Sequence, residues 1–120
     1  MAEKIEKFED LNVWKESMRL AIEIYRVLDG CKNYGLRDQL QRSAISIPSN
    51  IAEGFERQSN KEFIQFLYIA KASCGELRTQ LYLAIEVNTI EKIRGEEFIE
   101  RTRKISSMLF KLIKARKEKF

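Results

Sequence analysis

Apolar residues recur along this chain at alternating spacings of three and four, the pattern of helices that each bury one stripe. Leu11, Trp14, Met18, Ala21, Tyr25 and Leu28 predict a first helix over about 10–28, with Asp10 as its N-cap. Asp29-Gly30 and Asn33-Tyr34-Gly35 supply stop and turn signals. Leu36, Leu40, Ile47 and Ile51 predict a second helix over about 36–55. Pro48 lies inside it, lacks the backbone donor and crowds the carbonyl of Ala44, so a kink or short break is expected there. Ser46 and Ser49 are available for backbone groups freed by that kink. Ser59-Asn60-Lys61-Glu62 reads as a capping box that opens a third helix over about 60–88. Its stripe is long and regular: Phe63, Leu67, Ala70, Cys74, Leu77, Leu81 and Ala84. A fourth helix is expected over about 95–117, starting at Gly95 or Glu96, with Phe98, Thr102, Ile105, Leu109 and Leu112 inward. Glu96, Glu97 and Glu100 near its start, and Lys111, Lys114, Arg116 and Lys117 near its end, complement the helix dipole. No segment alternates with strand period. Short connections make neighbours antiparallel. The fold class is therefore all-α: one domain over 1–120, an up-down-up-down four-helix bundle whose second helix is kinked near Pro48.

Two helices carry more apolar surface than one buried stripe requires. The first helix adds Val13, Leu20, Ile24 and Val27, and the third adds Tyr68, Ile69, Leu83 and Val87. A helix of a monomeric bundle buries little more than about 100° of its circumference. These second rows predict a homo-oligomer interface built from the first and third helices.

Composition narrows the chemistry. The chain has 120 residues, 44% of them apolar and 33% charged, enough to bury a core without disulfides or metals. No apolar run approaches the ~20 residues of a membrane span, and no signal peptide is read at the N-terminus. A cytoplasmic chain with no membrane association is expected, its Cys31 and Cys74 reduced and Cys74 a small core residue. Histidine is absent, which removes the usual neutral-pH base and the commonest transition-metal ligand. Two distant cysteines make no metal framework, and no phosphate-cradling glycine loop occurs. No cofactor is expected. The net charge of +4 is unevenly placed. Residues 101–120 hold eight Lys/Arg and one Glu, while the first hundred hold 14 basic and 17 acidic groups.

Two sets of polar residues stand out. Gln39, Arg42, Ser46, Asn50, Glu53 and Arg57 form a stripe along one side of the second helix. As a structural network, Glu53 pairs with Arg42 or Arg57, while Asn50 and Gln39 bond neighbouring helices or subunits and fix register. The functional reading is a ligand or RNA contact, and one Glu without a second catalytic group is weak for acid–base chemistry. Arg103, Lys104, Lys111 and Lys114 lie on the side of the fourth helix opposite Ile105 and Leu109. That face is either a solvated helix end or a phosphate-binding surface, repeated in an oligomer so that weak contacts act together. With no basic–aromatic RNA signature, binding there is expected to be salt-sensitive and mainly backbone-directed.

The blocks Phe8-Glu9-Asp10-Leu11-Asn12-Val13-Trp14-Lys15, Tyr34-Gly35-Leu36-Arg37-Asp38-Gln39-Leu40-Gln41-Arg42-Ser43-Ala44 and Ile69-Ala70-Lys71-Ala72-Ser73-Cys74-Gly75-Glu76-Leu77 resemble those of the bacterial 23S rRNA intervening-sequence protein family. The most specific block is Ser46-Ile47-Pro48-Ser49-Asn50-Ile51-Ala52-Glu53-Gly54. The resemblance covers nearly the whole chain and, more distantly, extends to accessory proteins of diversity-generating retroelements. It implies an antiparallel four-helix bundle assembled as a ring-like homopentamer, and no established enzymatic activity. Some relatives are encoded within rRNA-gene insertions. The retroelement proteins are basic pentameric barrels that associate with a reverse transcriptase and nucleic acid. Two functions follow as expectations: a non-enzymatic nucleic-acid-binding or RNP accessory oligomer using RNA or DNA, or a ring scaffold that recruits a protein partner. An enzyme built around Glu53 and Arg57 is disfavoured by the missing histidine and metal framework.

Overall fold

The computed structural model describes residues 4–120. Four α-helices account for most of them: α1 Asn12–Val27, α2 Tyr34–Phe55, α3 Asn60–Glu86 and α4 Lys92–Lys119. Their starts show which sequence signals act. Ser59 Oγ accepts the Glu62 amide at 3.2 Å and caps α3 as the sequence implies. Asp10 does not cap α1. Its carboxylate accepts the amides of Glu6 and Lys7 and closes a 3₁₀ turn over Phe8–Asp10, and these backbone bonds hold Asp10 below the usual carboxylate range. Helix α4 begins earlier than its acidic cluster implies, because Glu91 accepts the amides of Ile93 and Arg94. Gly95 is therefore inside α4 and packs against Ile85. At the other ends, Gly30 (φ 77°) stops α1 and Asn88 (φ 61°) terminates α3 in the left-handed region.

Cross-helix pairs fix the topology. Ser43 meets Gln80 and Ser46 meets Ser73, so α2 and α3 run antiparallel. Arg78 with Thr102 and Asn60 with Arg116 do the same for α3 and α4. Glu23 meets both Arg94 and Arg101, which closes α1 against α4. The helices line the long axis of a 45 × 26 × 19 Å body. Among the described residues there is no strand.

The α3 stripe is buried as read: Phe63, Leu67, Ala70, Cys74, Leu77, Leu81 and Ala84. In α4, Phe98, Thr102, Ile105, Leu109 and Ile113 are buried, and Leu112 is only partly so. Helix α1 departs from the expected seam. Its core face is Val13, Ser17, Leu20, Ala21 and Ile24, while Trp14 and Met18 are half-buried and Tyr25 is exposed. Ser17 hid this face in the sequence. Its hydroxyl donates to the Trp14 carbonyl at 3.0 Å, which lets a polar residue occupy a core position. Val13, Leu20 and Ile24, expected at an oligomer interface, are core residues of the single chain.

Helix α2 runs through Pro48 without the expected break. Only one intrahelical bond is lost there, and Pro48 is itself buried against the core. Ser46 does not serve the backbone at this point, because its hydroxyl donates across to Ser73.

Candidate functional site: a polar groove and a cationic face

The polar stripe of α2 divides into two parts. Ser46 and Asn50 are half-buried at the α2–α3 boundary, whereas Gln39, Arg42, Glu53 and Arg57 are exposed. Asn50 Nδ2 donates to the Ser46 carbonyl at 2.8 Å, so it braces its own helix and does not reach a neighbouring one. The contacts that join α2 to α3 are Ser46–Ser73 and, outside the stripe, Ser43 Oγ donating to Gln80 Oε1 at 2.6 Å. Glu53 pairs with Arg57 at 2.9 Å, one turn on, and not with Arg42. Arg57 also lies over the Phe66 ring, 4.8 Å from its centroid. The outer stripe is thus a helix-surface ion pair, together with Gln39 and Arg42 facing solvent.

These groups do not converge on a reaction centre. A groove of about 700 Å³ opens beside Arg57, lined by Phe55, Asn60, Phe63, Arg116 and Phe120 among others. None of its lining residues is a carboxylate. Arg116 is committed to structure: its Nε donates to Asn60 Oδ1 at 2.8 Å, and its guanidinium stacks on Phe63 and Phe120. Burial lowers its pKa from the ordinary arginine value. Among the described residues, no buried side-chain N or O lacks a partner, and no group of His, Cys, Asp and Glu is placed to hold a metal. Cys74 is sealed in the core, and burial pushes its thiol up to about 12. It is therefore neither a nucleophile nor a metal ligand at neutral pH.

The cationic face is assembled as the spacing implies. Arg103, Lys104, Lys111 and Lys114 are all exposed, and Ile105 and Leu109 on the opposite side are buried. Arg103 is partly neutralised by Glu100 one turn earlier and also donates to the Tyr82 hydroxyl at 2.9 Å. Among the described residues, no carboxylate pairs with Lys104, Lys111 or Lys114. Lys117 joins this face and donates to the Tyr68 hydroxyl at 2.8 Å.

Helix α3 keeps an apolar outer surface. Tyr68, Ile69, Leu83 and Val87 are each about half exposed, and Val27 of α1 is 39% exposed. Ile69, Leu83 and Val87 follow the α2 edge of α3, near Ser73 and Gln80, whereas Tyr68 leans towards α4 through Lys117. A second feature was not legible in the sequence. Glu23 binds Arg94 at 3.1 Å and Arg101 at 2.6 Å, tying α1 to α4. Burial raises the Glu23 pKa, but its bonds to Arg101 and Arg94 outweigh this and hold it below the ordinary value.

The molecule defined by this geometry is an all-α antiparallel bundle with a polar α2–α3 joint, an exposed apolar α3 row and a cationic α4. Within that class, residues 9–111 match the model of the 23S rRNA-intervening sequence protein family, and the chain belongs to that family. It is also similar to the crystal structure of a protein of unknown function from the S23 ribosomal protein family of Bacteroides thetaiotaomicron VPI-5482. The two share 30% identity with a TM-score of 0.79, over 85% of this chain and 98% of that one. No curated protein matches the chain. Among the described residues, no helix is long and apolar enough to cross a membrane.

Proposed function

We propose that this chain is a non-enzymatic, self-associating accessory protein that holds nucleic acid on the outer face of α4. The supporting observation is the set Lys104, Lys111 and Lys114, exposed on one helix face without carboxylate partners among the described residues. Such a face is attracted to a polyanion through phosphate contacts and counterion release. Self-association through Ile69, Leu83 and Val87 repeats the face, and several weak contacts then act as one strong one. The family's description refers to sequences intervening in 23S rRNA, which makes RNA the first polyanion to test.

The test is binding of a labelled RNA across a salt series, beside the triple variant Lys104→Glu, Lys111→Glu and Lys114→Glu. Wild-type affinity falls steeply with salt, and the variant loses binding while keeping its helicity and mass. Equal binding by the variant rejects the α4 face. Light scattering on the same samples reads the assembly, where a pentamer of 14.2 kDa chains gives roughly 70 kDa. A ring that recruits a protein partner is the second reading, favoured by the apolar α3 row. In that case the partner survives nuclease treatment and the triple variant retains it.

A further inference from the structure

Three aromatic side chains stand in the cationic face, and no core or cap uses them. Phe110 is 57% exposed, Tyr82 48% and Tyr68 46%. Their placement is regular. Arg103 lies seven residues before Phe110 and Lys117 seven after, so all three share one side of α4. Across the helix pair, Tyr82 bonds Arg103 and Tyr68 bonds Lys117. Gly75 lies midway between the two tyrosines, as Phe110 lies midway between the two cations. The antiparallel register therefore sets Phe110 beside Gly75, where a Cβ would meet nothing within 4 Å. The result is a line of three aromatic rungs over about 21 Å, with open space at the middle one.

We propose that this α3–α4 face binds single-stranded nucleic acid, with a base stacked on Phe110 and another on Tyr68 while Lys111, Lys114 and Lys117 hold the phosphates between them. The proposal rests on the cationic-face reading above and adds the strandedness of the ligand. A duplex keeps its bases stacked ~3.4 Å apart and inside, so it offers this ridge only phosphates. A single strand can splay its bases onto separated aromatic platforms, and such stacking is largely indifferent to sequence. Lys117 already lies over the Tyr68 ring, 5.1 Å from its centroid, which keeps a cation and an aromatic surface together. The Tyr82 end is less positive because Glu100 occupies Arg103 and Glu96 is close by, so the strand concentrates at the Phe110–Tyr68 end. A two-fold contact between copies of this face would bring like charges together, and the self-association proposed above uses a different surface. The apolar row Ile69, Leu83 and Val87 lies on the other edge of α3.

The experiment compares a labelled 20-nucleotide oligo(U), oligo(dT) and a matched mixed-sequence duplex by fluorescence anisotropy, with wild-type protein, Phe110→Ala, Phe110→Trp and the triple lysine reversal. Wild-type protein is expected to prefer the single strands. Phe110→Ala weakens them about tenfold, leaves duplex binding unchanged and leaves the slope of log affinity against log salt unchanged, because no cation is removed. Phe110→Trp restores the affinity, and its fluorescence is quenched on binding. If Phe110→Ala binds single strands as wild type does while the triple reversal loses all binding, stacking is overturned and the cationic-face reading stands. If the triple reversal binds normally, both fail. If Phe110→Ala changes the mass by light scattering, the ring belongs to a protein contact and the proposal is overturned.

Discussion

Gly54 of α2 lies against Phe66 of α3 so closely that a Cβ built on the glycine would sit 2.5 Å from the Phe66 Cβ. The obstruction is backbone-proximal, so rotating a side chain does not relieve it. The end of α2 packs on the start of α3 at this point, with Phe55 and Phe63 in a T-shaped contact 5.7 Å apart next to it.

That closeness sets the sign of a substitution. In an open helix, glycine to alanine gains about 1 kcal/mol. Gly75→Ala, at a position with open space, is expected to raise stability by up to that amount. Gly54→Ala is expected to lower it by about 1–3 kcal/mol, because overpacking outweighs propensity. Urea denaturation of the two variants reads opposite shifts in midpoint, and two shifts of the same sign contradict the packing at Gly54.

Glu23 makes stability depend on acid. Its carboxylate is held below the ordinary value of 4.5 by Arg101 and Arg94. A depressed pKa contributes stability that is fully present above the unfolded value and is lost as pH falls through the folded one. Wild-type protein should therefore lose stability below about pH 4.5 more steeply than Glu23→Gln. At neutral pH the variant should be weaker by about 1 kcal/mol, since the pair is partly solvated. Thermal melts from pH 3 to pH 7 show whether the curves converge in acid. Parallel curves would remove Glu23 from the account.

The two thiols should react in separate steps. Cys31 is half-buried near the surface, and Cys74 is sealed with its thiol pushed up to about 12. With an aromatic disulfide reagent at pH 8, one thiol reacts promptly and the second only when denaturant opens the bundle. Prompt reaction of both would mean that the α3 core is not closed around Cys74.

The apolar row on α3 should govern mass and leave folding intact. Ile69→Lys with Leu83→Glu places two charges where no core contact is lost, since both positions are about half exposed. The variant should keep its helicity and its melting temperature within a few degrees, while light scattering falls to the 14.2 kDa chain. An unchanged mass would locate any assembly elsewhere.

A helix is legible in the sequence where it carries one clean stripe, and is obscured where polar chemistry is satisfied locally. Helix α3 was legible down to individual core residues, because Phe63 through Ala84 repeat without interruption. Helix α1 was not. Ser17 breaks the row Val13–Leu20–Ile24, and the large rings of Trp14 and Tyr25 mark a competing face that the fold leaves half open. Asp10 looked like a helix cap and instead closes a turn that backbone spacing alone does not reveal. In the candidate site, the cationic side of α4 followed from helical period. The three-residue Glu23–Arg94–Arg101 cluster did not, because it joins positions about seventy apart in sequence. The pairing of Phe110 with the tyrosines of α3 likewise needs the register between two helices, which no single-helix pattern contains.

Helix α1 packs mainly on α2 and meets α4 over a smaller contact that includes the Glu23 ion pairs, while α2 packs closely on α3 at Gly54 and α3 on α4 at Gly95. Most tertiary contacts are thus between helices adjacent in the chain, an arrangement of low contact order that folds fast. The seam between the first and last helices is the part of the bundle with least to lose on opening. Amide protons of α1 should therefore exchange through a sub-global opening, and those of α3 only when the whole molecule unfolds.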